Sequence, residues 1–352
     1  MIPLRIVHVL SSDALIWPAG ARSLLAWLSE QGHAVAAVPV AEAAAAGVPG
    51  LGSYRGWWNW WRRGRRETVI AAANWGCDIV HAHGDEALSP AADLARALRV
   101  PLIVELQSLS GSHASRRILR SLPGATIIVP SEYHRAALLA RDGGLRERVQ
   151  VIPPGLALPS MAEESSQEHR PLTIGAWLRR RRDSGVLAKA HAALLGDGLA
   201  VRVIAVGELD EDLAPPEPWL SDSPEQCLAA CDVFVETSDA DLPMPHIVSA
   251  LAHGCPVVAT AVGQLPELVD DGDAGCLVPP QDPLVLAGAL RQLAALDRRR
   301  ACAAHARRCA ARHDIAIVGA AVLELYRAAI SGQRSLSATR SWRRLSALHL
   351  GR

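Results

Sequence analysis

Residues 230–269 read Ala230-Cys231-Asp232-Val233-Phe234-Val235, then Ser238, then Met244 to His253, then Gly254-Cys255-Pro256-Val257-Val258-Ala259-Thr260 and Gly263-Gln264-Leu265-Pro266-Glu267-Leu268-Val269. A β-branched run, an irregular loop, a short helical stretch and a second β-branched run opened by Gly254 and Pro256 follow one another. That order predicts a strand, a loop, a helix and a strand parallel to the first. A loop that enters a helix N-terminus presents free backbone N–H groups and the positive end of the helix dipole, an arrangement that favours an anion such as phosphate.

The same grammar extends in both directions. Strands are predicted at Arg5 to Leu10, Ala34 to Val40, Ile79 to Ala82, Leu102 to Leu106, Thr126 to Val129 and Val149 to Ile152. A helix from Ala21 to Gln31 stops at Gly32, a residue suited to the left-handed turn past a helix end. In the second half, strands at Leu172 to Ala176, Val201 to Val206, Val233 to Glu236 and Pro256 to Ala259 alternate with helices near Gly185 to Leu195, Pro224 to Ala230 and Ile247 to Ala252. Alternation of this kind predicts an α/β protein of two facing, Rossmann-like, doubly wound parallel-sheet domains, with ligand at the carboxyl ends of the strands. Pro153-Pro154-Gly155 and the polar run to Arg170 interrupt the pattern and place a hinge. The expected division is a first domain 1–155, a linker 156–170, a second domain 171–313, a helix 314–330 crossing back to the first domain, and a basic tail 331–352.

Composition agrees with a folded two-domain chain and narrows the function. Of 352 residues, 50% are hydrophobic and 20% charged, which excludes intrinsic disorder. The 36 basic and 36 acidic residues cancel, so no net field argues for nucleic acid as a partner. Seven cysteines without a CxxC pair predict reduced thiols. With no signal-like start and no apolar run long enough to span a bilayer, a cytoplasmic location is expected.

At the stretch 230–283 the sequence resembles the glycosyltransferases of family 4, retaining enzymes of the GT-B fold that take sugar from a nucleotide donor; the ordered match runs over about fifty positions. Gly32-His33-Ala34-Val35, Asp78-Ile79-Val80-His81-Ala82-His83, Pro101-Leu102-Ile103-Val104, Val129-Pro130-Ser131 and Val151-Ile152-Pro153-Pro154-Gly155 resemble landmarks of the same family in the right order. The resemblance implies a nucleoside diphosphate sugar as donor, a lipid-linked or saccharide acceptor, and no cofactor or metal. It places catalytic roles at Asp241 and Gln107, the latter where a histidine is often found, and donor contacts at Gly20, Arg181, Arg182, Leu242, Met244, His246 and Ser249. Gly20 matches one glycine of the family's double-glycine loop, expected just before a helix.

The departures are specific. Where the family carries two glutamates eight positions apart, this chain has Asp241 and Ser249. Serine still bonds a ribose hydroxyl but cannot accept two bonds as a carboxylate does. The family's Gly-Phe-Gly reads Leu242-Pro243-Met244, and Pro243 removes a backbone N–H. The family's arginine place is Ala176, and the cations arrive later, at Arg179 to Arg182. These differences keep a catalytically impaired, sugar-nucleotide-binding partner subunit as the alternative to an active hexosyltransferase. A sugar-nucleotide epimerase of similar fold is disfavoured by the match from Gly254 to Pro280.

Two further features bear on function. Cys302, His305, Cys309 and His313 fall on one predicted helix face, yet ligands strung along about 16 Å of helix cannot meet at one tetrahedral ion. They are expected to be a core stripe. The run Tyr54 to Arg66 holds Trp57, Trp58, Trp60 and Trp61 beside Arg62 and Arg63. It has three readings: an anchor at an anionic membrane surface, a loop packed by its own indoles, or an acceptor site in which indoles stack on sugar rings.

Overall fold

The computed structural model describes residues 2–11, 18–40, 65–106, 118–158, 171–178, 181–207, 223–240, 245–269 and 273–332. They form two compact units, one from Met1–Ala157 with His313–Arg352, the other from Leu158–Arg312.

The first unit is a six-stranded parallel sheet. Its strands are β1 (Arg5–Leu10), β2 (Ala34–Pro39), β3 (Ile79–His83), β4 (Leu102–Glu105), β5 (Thr126–Val129) and β6 (Val149–Val151), in the order β2-β1-β3-β4-β5-β6. Alternate residues serve opposite faces, and both faces are covered. Val7, Val80, Val104 and Ile127 pack one way, with Leu88 of a flanking helix. Ile6, Ile79, Ile103 and Ile128 pack the other way. Burial on both faces is why these strands are runs of apolar residues rather than alternating ones.

The second face is covered by helices α1 (Pro18–Glu30) and, from the far end of the chain, Ile315–Ile330, which contribute Leu24, Leu28, Val318, Val322 and Tyr326. The chain returns to this unit through a bridge in which Leu156 N–H donates to His313 O and Ile315 N–H donates to Leu156 O. Asp314 caps the final helix by accepting from Ala316 N–H at 2.7 Å. Gly32 takes φ +82° beyond α1, the left-handed turn expected there.

The second unit is a five-stranded parallel sheet of β7 (Leu172–Leu178), β8 (Val201–Gly207), β9 (Val233–Glu236), β10 (Val257–Thr260) and β11 (Gly275–Val278), in the order β11-β10-β9-β7-β8. The last of these, four residues led by a glycine, is not among the strands that alternation predicts. The helix predicted from Gly185 begins at Arg181 and runs to Gly196, so the end of the arginine run lies inside a helix rather than in a loop. The helix Leu296–Ala311 buries Cys302 and Cys309, but His305 is only partly buried and bonds Arg308, and His313 lies beyond the helix end with Nδ1 at 3.2 Å from Pro154 O. The predicted stripe therefore splits: Cys302 and Cys309 are buried in the helix, His313 is buried beyond its end, and His305 is only partly buried. No disulfide joins any of the seven cysteines.

Candidate active site

In a doubly wound sheet, a ligand crevice opens at the carboxyl ends of the two strands between which the winding reverses. In the second unit those strands are β7 and β9. Strand β7 leads directly to Arg181 and Arg182, the first residues of its helix. Strand β9 leads through Thr237 and Ser238 toward the helix Pro245–Ala252. The candidate donor residues of the second unit thus follow the two strand ends that flank the reversal, while Gly20 belongs to the first unit. Leu242, Met244 and the candidate catalytic Asp241 lie outside the described residues, as do the side chains of Arg181 and Arg182.

The segment after β9 is built around Glu236, which sequence reasoning passes over. Its Oε1 accepts from Ser238 N–H at 2.9 Å, and its Oε2 lies 2.7 Å from His246 Nε2. Both side chains are about 1% exposed. The His246 ring lies against Trp177 of β7 and Phe234 of β9, with centroids at 5.0 and 5.8 Å. Thr237 Oγ1 donates to Asp183 O at 3.1 Å, and Thr260 Oγ1 donates to Ser238 O, so the loop is tied to the helix after β7 and to β10. These bonds position the helix N-terminus at the strand edge. His246 holds that framework through a nitrogen already engaged by Glu236. Ser249 Oγ donates to Pro245 O at 3.1 Å, one turn back in its own helix.

Behind the loop, Cys231 and Cys255 bring their sulfurs to 3.2 Å, and burial pushes the Cys255 thiol well above its usual range, with Cys231 adding to the effect. Burial also pushes Cys227 up to about 12 and Cys77, in the first unit, up to about 11. Cys255, Cys227 and Cys77 are therefore not poised nucleophiles.

In the first unit the reversal falls between β1 and β3, and there the structure gathers His8, His81 and His83 with Glu105 of β4. In sequence, His81 and His83 stand out only as family landmarks. His83 Nδ1 lies 2.7 Å from Glu105 Oε2, His83 Nε2 lies 2.8 Å from His8 Nδ1, and His81 Nδ1 lies 2.7 Å from the Tyr326 hydroxyl. Burial, then the neighbouring ring of His83, holds His8 and His81 well below the usual histidine range; burial raises the Tyr326 hydroxyl. His81 and Glu105 line a pocket in this unit together with Gly20, Leu24 and Pro154. Gly20 is the third residue of α1 rather than a residue before it, because the helix already starts at Pro18, a residue type suited to a first helical position. A Cβ at Gly20 would stand 3.2 Å from Pro154 Cβ, so the position is tight even for alanine. Gln107, Trp57, Trp58, Trp60, Trp61, Arg62 and Arg63 lie outside the described residues.

Comparison with known proteins accords with this architecture. Residues 20–158 match the family described as Glycosyltransferase Family 4, and residues 172–295 match Glycosyl transferases group 1. A D-inositol 3-phosphate glycosyltransferase from Corynebacterium urealyticum is 43% identical over 223 residues, which is 52% of this chain and about half, 51%, of that relative. Among solved structures, a glycosyltransferase from Rickettsia africae superposes with a TM-score of 0.74 at 14% identity, covering 94% of this chain and 99% of the other. The Anabaena protein HepE, solved in complex with UDP, superposes with a TM-score of 0.65 at 20% identity, covering 92% and 100%. With both family matches falling in order on two Rossmann-like parallel-sheet units, this chain belongs to the family 4 glycosyltransferases of the GT-B fold.

Proposed function

We propose that the chain transfers a hexose, with retention, from a nucleoside diphosphate sugar to a lipid-linked or polysaccharide acceptor. The observation that carries the reading is the second unit's strand reversal, where the ends of β7 and β9 deliver the arginines and the helix start to one edge. Anabaena HepE has been solved with UDP and glucose and with UDP-glucose, which supports a nucleotide sugar as donor.

As the bond from the sugar C1 to the diphosphate breaks, positive charge grows on the sugar ring and negative charge on the leaving group. Asp241 is assigned to the first, and Arg181, Arg182 and the backbone N–H groups near Leu242 and Met244 to the second. Gly20 lets backbone approach the diphosphate, Ser249 serves the ribose, and His246 holds the loop through Glu236. Gln107 stands on the acceptor side. The diphosphate is held by these groups without a metal. The tryptophans at 57, 58, 60 and 61, with Arg62 and Arg63, serve an anionic membrane surface or the acceptor, in keeping with a peripheral protein at the cytoplasmic face. No helix among the described residues is long and apolar enough to cross a membrane.

A panel of nucleoside diphosphate sugars, scored for thermal stabilisation and for transfer to added acceptor, tests the proposal. Stabilisation with transfer supports it. Stabilisation without transfer would move the chain to the impaired, partner-subunit reading. Asp241→Asn is expected to lower transfer far more than nucleotide affinity, since its charge acts mainly as the reacting sugar becomes cationic; equal losses would make Asp241 a binding residue only.

A further inference from the structure

The cluster at the strand reversal of the first unit has the composition of a metal centre. His8 and His81 are register partners on adjacent parallel strands, and His83 and Glu105 are register partners on the next pair. Directly paired residues and residues two apart share a sheet face. The four side chains therefore project together from three neighbouring strands, onto the face that Tyr326 covers. One ring nitrogen from each histidine lies within 4.8 Å of the other two. A four-coordinate ion holding nitrogens at about 2.0–2.1 Å sets them about 3.4 Å apart, so binding draws the rings together by up to about 1.4 Å.

The hydrogen bonds prepare the rings for this. Glu105 can only accept from His83 Nδ1–H, which leaves His83 Nε2 with its lone pair outward from the carboxylate. A carboxylate behind a ligating histidine is the usual orienting partner. The Tyr326 oxygen stands in the same relation to His81 Nδ1. Two of the imidazole nitrogens, His8 Nε2 and His81 Nε2, are fully buried with no hydrogen-bond partner, an arrangement that costs free energy unless something binds there. The pocket lined by His81, Glu105 and Gly20 offers an entry, and the Glu105 side chain is 18% exposed.

We propose that His8, His81 and His83 form a site for one divalent transition-metal ion of the zinc and cobalt class, with a water in the fourth position and Glu105 and Tyr326 orienting the ligands. On binding, the His8–His83 hydrogen bond gives way to coordination. The imidazole set suits zinc or cobalt better than magnesium or calcium, which take oxygen ligands. The site is built from first-unit residues alone and uses none of the donor residues of the second unit.

The test uses the purified full chain, stripped with a chelator, dialysed and titrated with Co2+. One equivalent should bind with the visible absorption bands of a four-coordinate cobalt ion, and Zn2+ should displace it. His81→Ala should abolish the bands, and Glu105→Gln, which keeps shape and a hydrogen-bonding group, should weaken binding about 10- to 100-fold with the far-ultraviolet spectrum unchanged. Absence of cobalt bands in the folded wild-type protein would overturn the proposal, as would binding that survives in folded His81→Ala at wild-type affinity. If His81→Ala does not fold, Glu105→Gln decides alone, and wild-type affinity in that variant counts against the site. Nucleoside diphosphate affinity, measured in the stripped protein, reports on the donor site independently.

Discussion

Replacing Glu236 with alanine removes the group on which the loop after β9 depends. Two bonds are lost, from Ser238 N–H at 2.9 Å and with His246 Nε2 at 2.7 Å, and both Glu236 and His246 are about 1% exposed, so water does not stand ready to replace them. Truncating one member of a buried, charge-capable pair costs about 3–5 kcal/mol, in line with two bonds to a carboxylate at about 1.5–3 kcal/mol each. In a unit the size of Leu158–Arg312, about 2–4 °C of melting temperature per kcal/mol gives a fall of about 6–20 °C. Glu236→Gln keeps an oxygen for Ser238 N–H and an amide facing His246, and is expected to cost about 1 kcal/mol. Calorimetry of the wild type and both variants, with denaturant midpoints as a second probe, measures the contrast. A Glu236→Ala protein within about 1 kcal/mol of wild type, or equal losses in the two variants, would refute the assignment of Glu236 as the anchor of this loop.

Ser249→Ala should leave the thermal midpoint within about 0.5 kcal/mol of wild type, because among the described residues the hydroxyl bonds a carbonyl of its own helix, whereas nucleoside diphosphate affinity should fall if the hydroxyl turns to the ribose; calorimetric titration separates the two. Gly319→Ala should destabilise by about 1–3 kcal/mol despite alanine's better helix propensity, since the added Cβ would collide with the Trp27 ring of α1, and a rise in melting temperature would show that the two helices separate at little cost. Cys227 and Cys255 should resist a thiol reagent at pH 8 in the folded protein and react on unfolding, because burial raises both thiols and the thiolate is the reactive form; rapid labelling of either would contradict their placement.

What is legible in the sequence is whatever is encoded locally. The β-branched runs, the turn at Gly32 and the break at Pro153-Pro154-Gly155 each depend on residues within a few positions of one another, so periodicity finds the strands of the first unit and four of the five in the second. The strand Gly275–Val278 escapes it because four residues with a leading glycine carry no period. The same locality misplaces the helix start at Arg181, where arginines and an aspartate give no apolar face, and groups His313 with a helix that ends before it. Motif order identifies the family and points to a candidate donor segment, but Glu236 passes as one more strand residue. Nothing in its neighbourhood announces that His246, ten positions on, folds back onto it.

The histidine cluster, among the described residues, belongs to tertiary structure alone. His8 meets His83 across 75 residues, and His81 meets Tyr326 across 245. In sequence His8 and Tyr326 are single polar residues within apolar stretches, far from the His81-Ala82-His83 landmark. They become one cluster only because the sheet order places β1 beside β3 and the final helix lies over that face. Sequence determines which residues alternate on a strand, since the side-chain period is a property of the backbone. Which strands become neighbours, and which faces meet, is settled by the packing of the whole domain, and that packing decided where His8, His81, His83 and Glu105 came together.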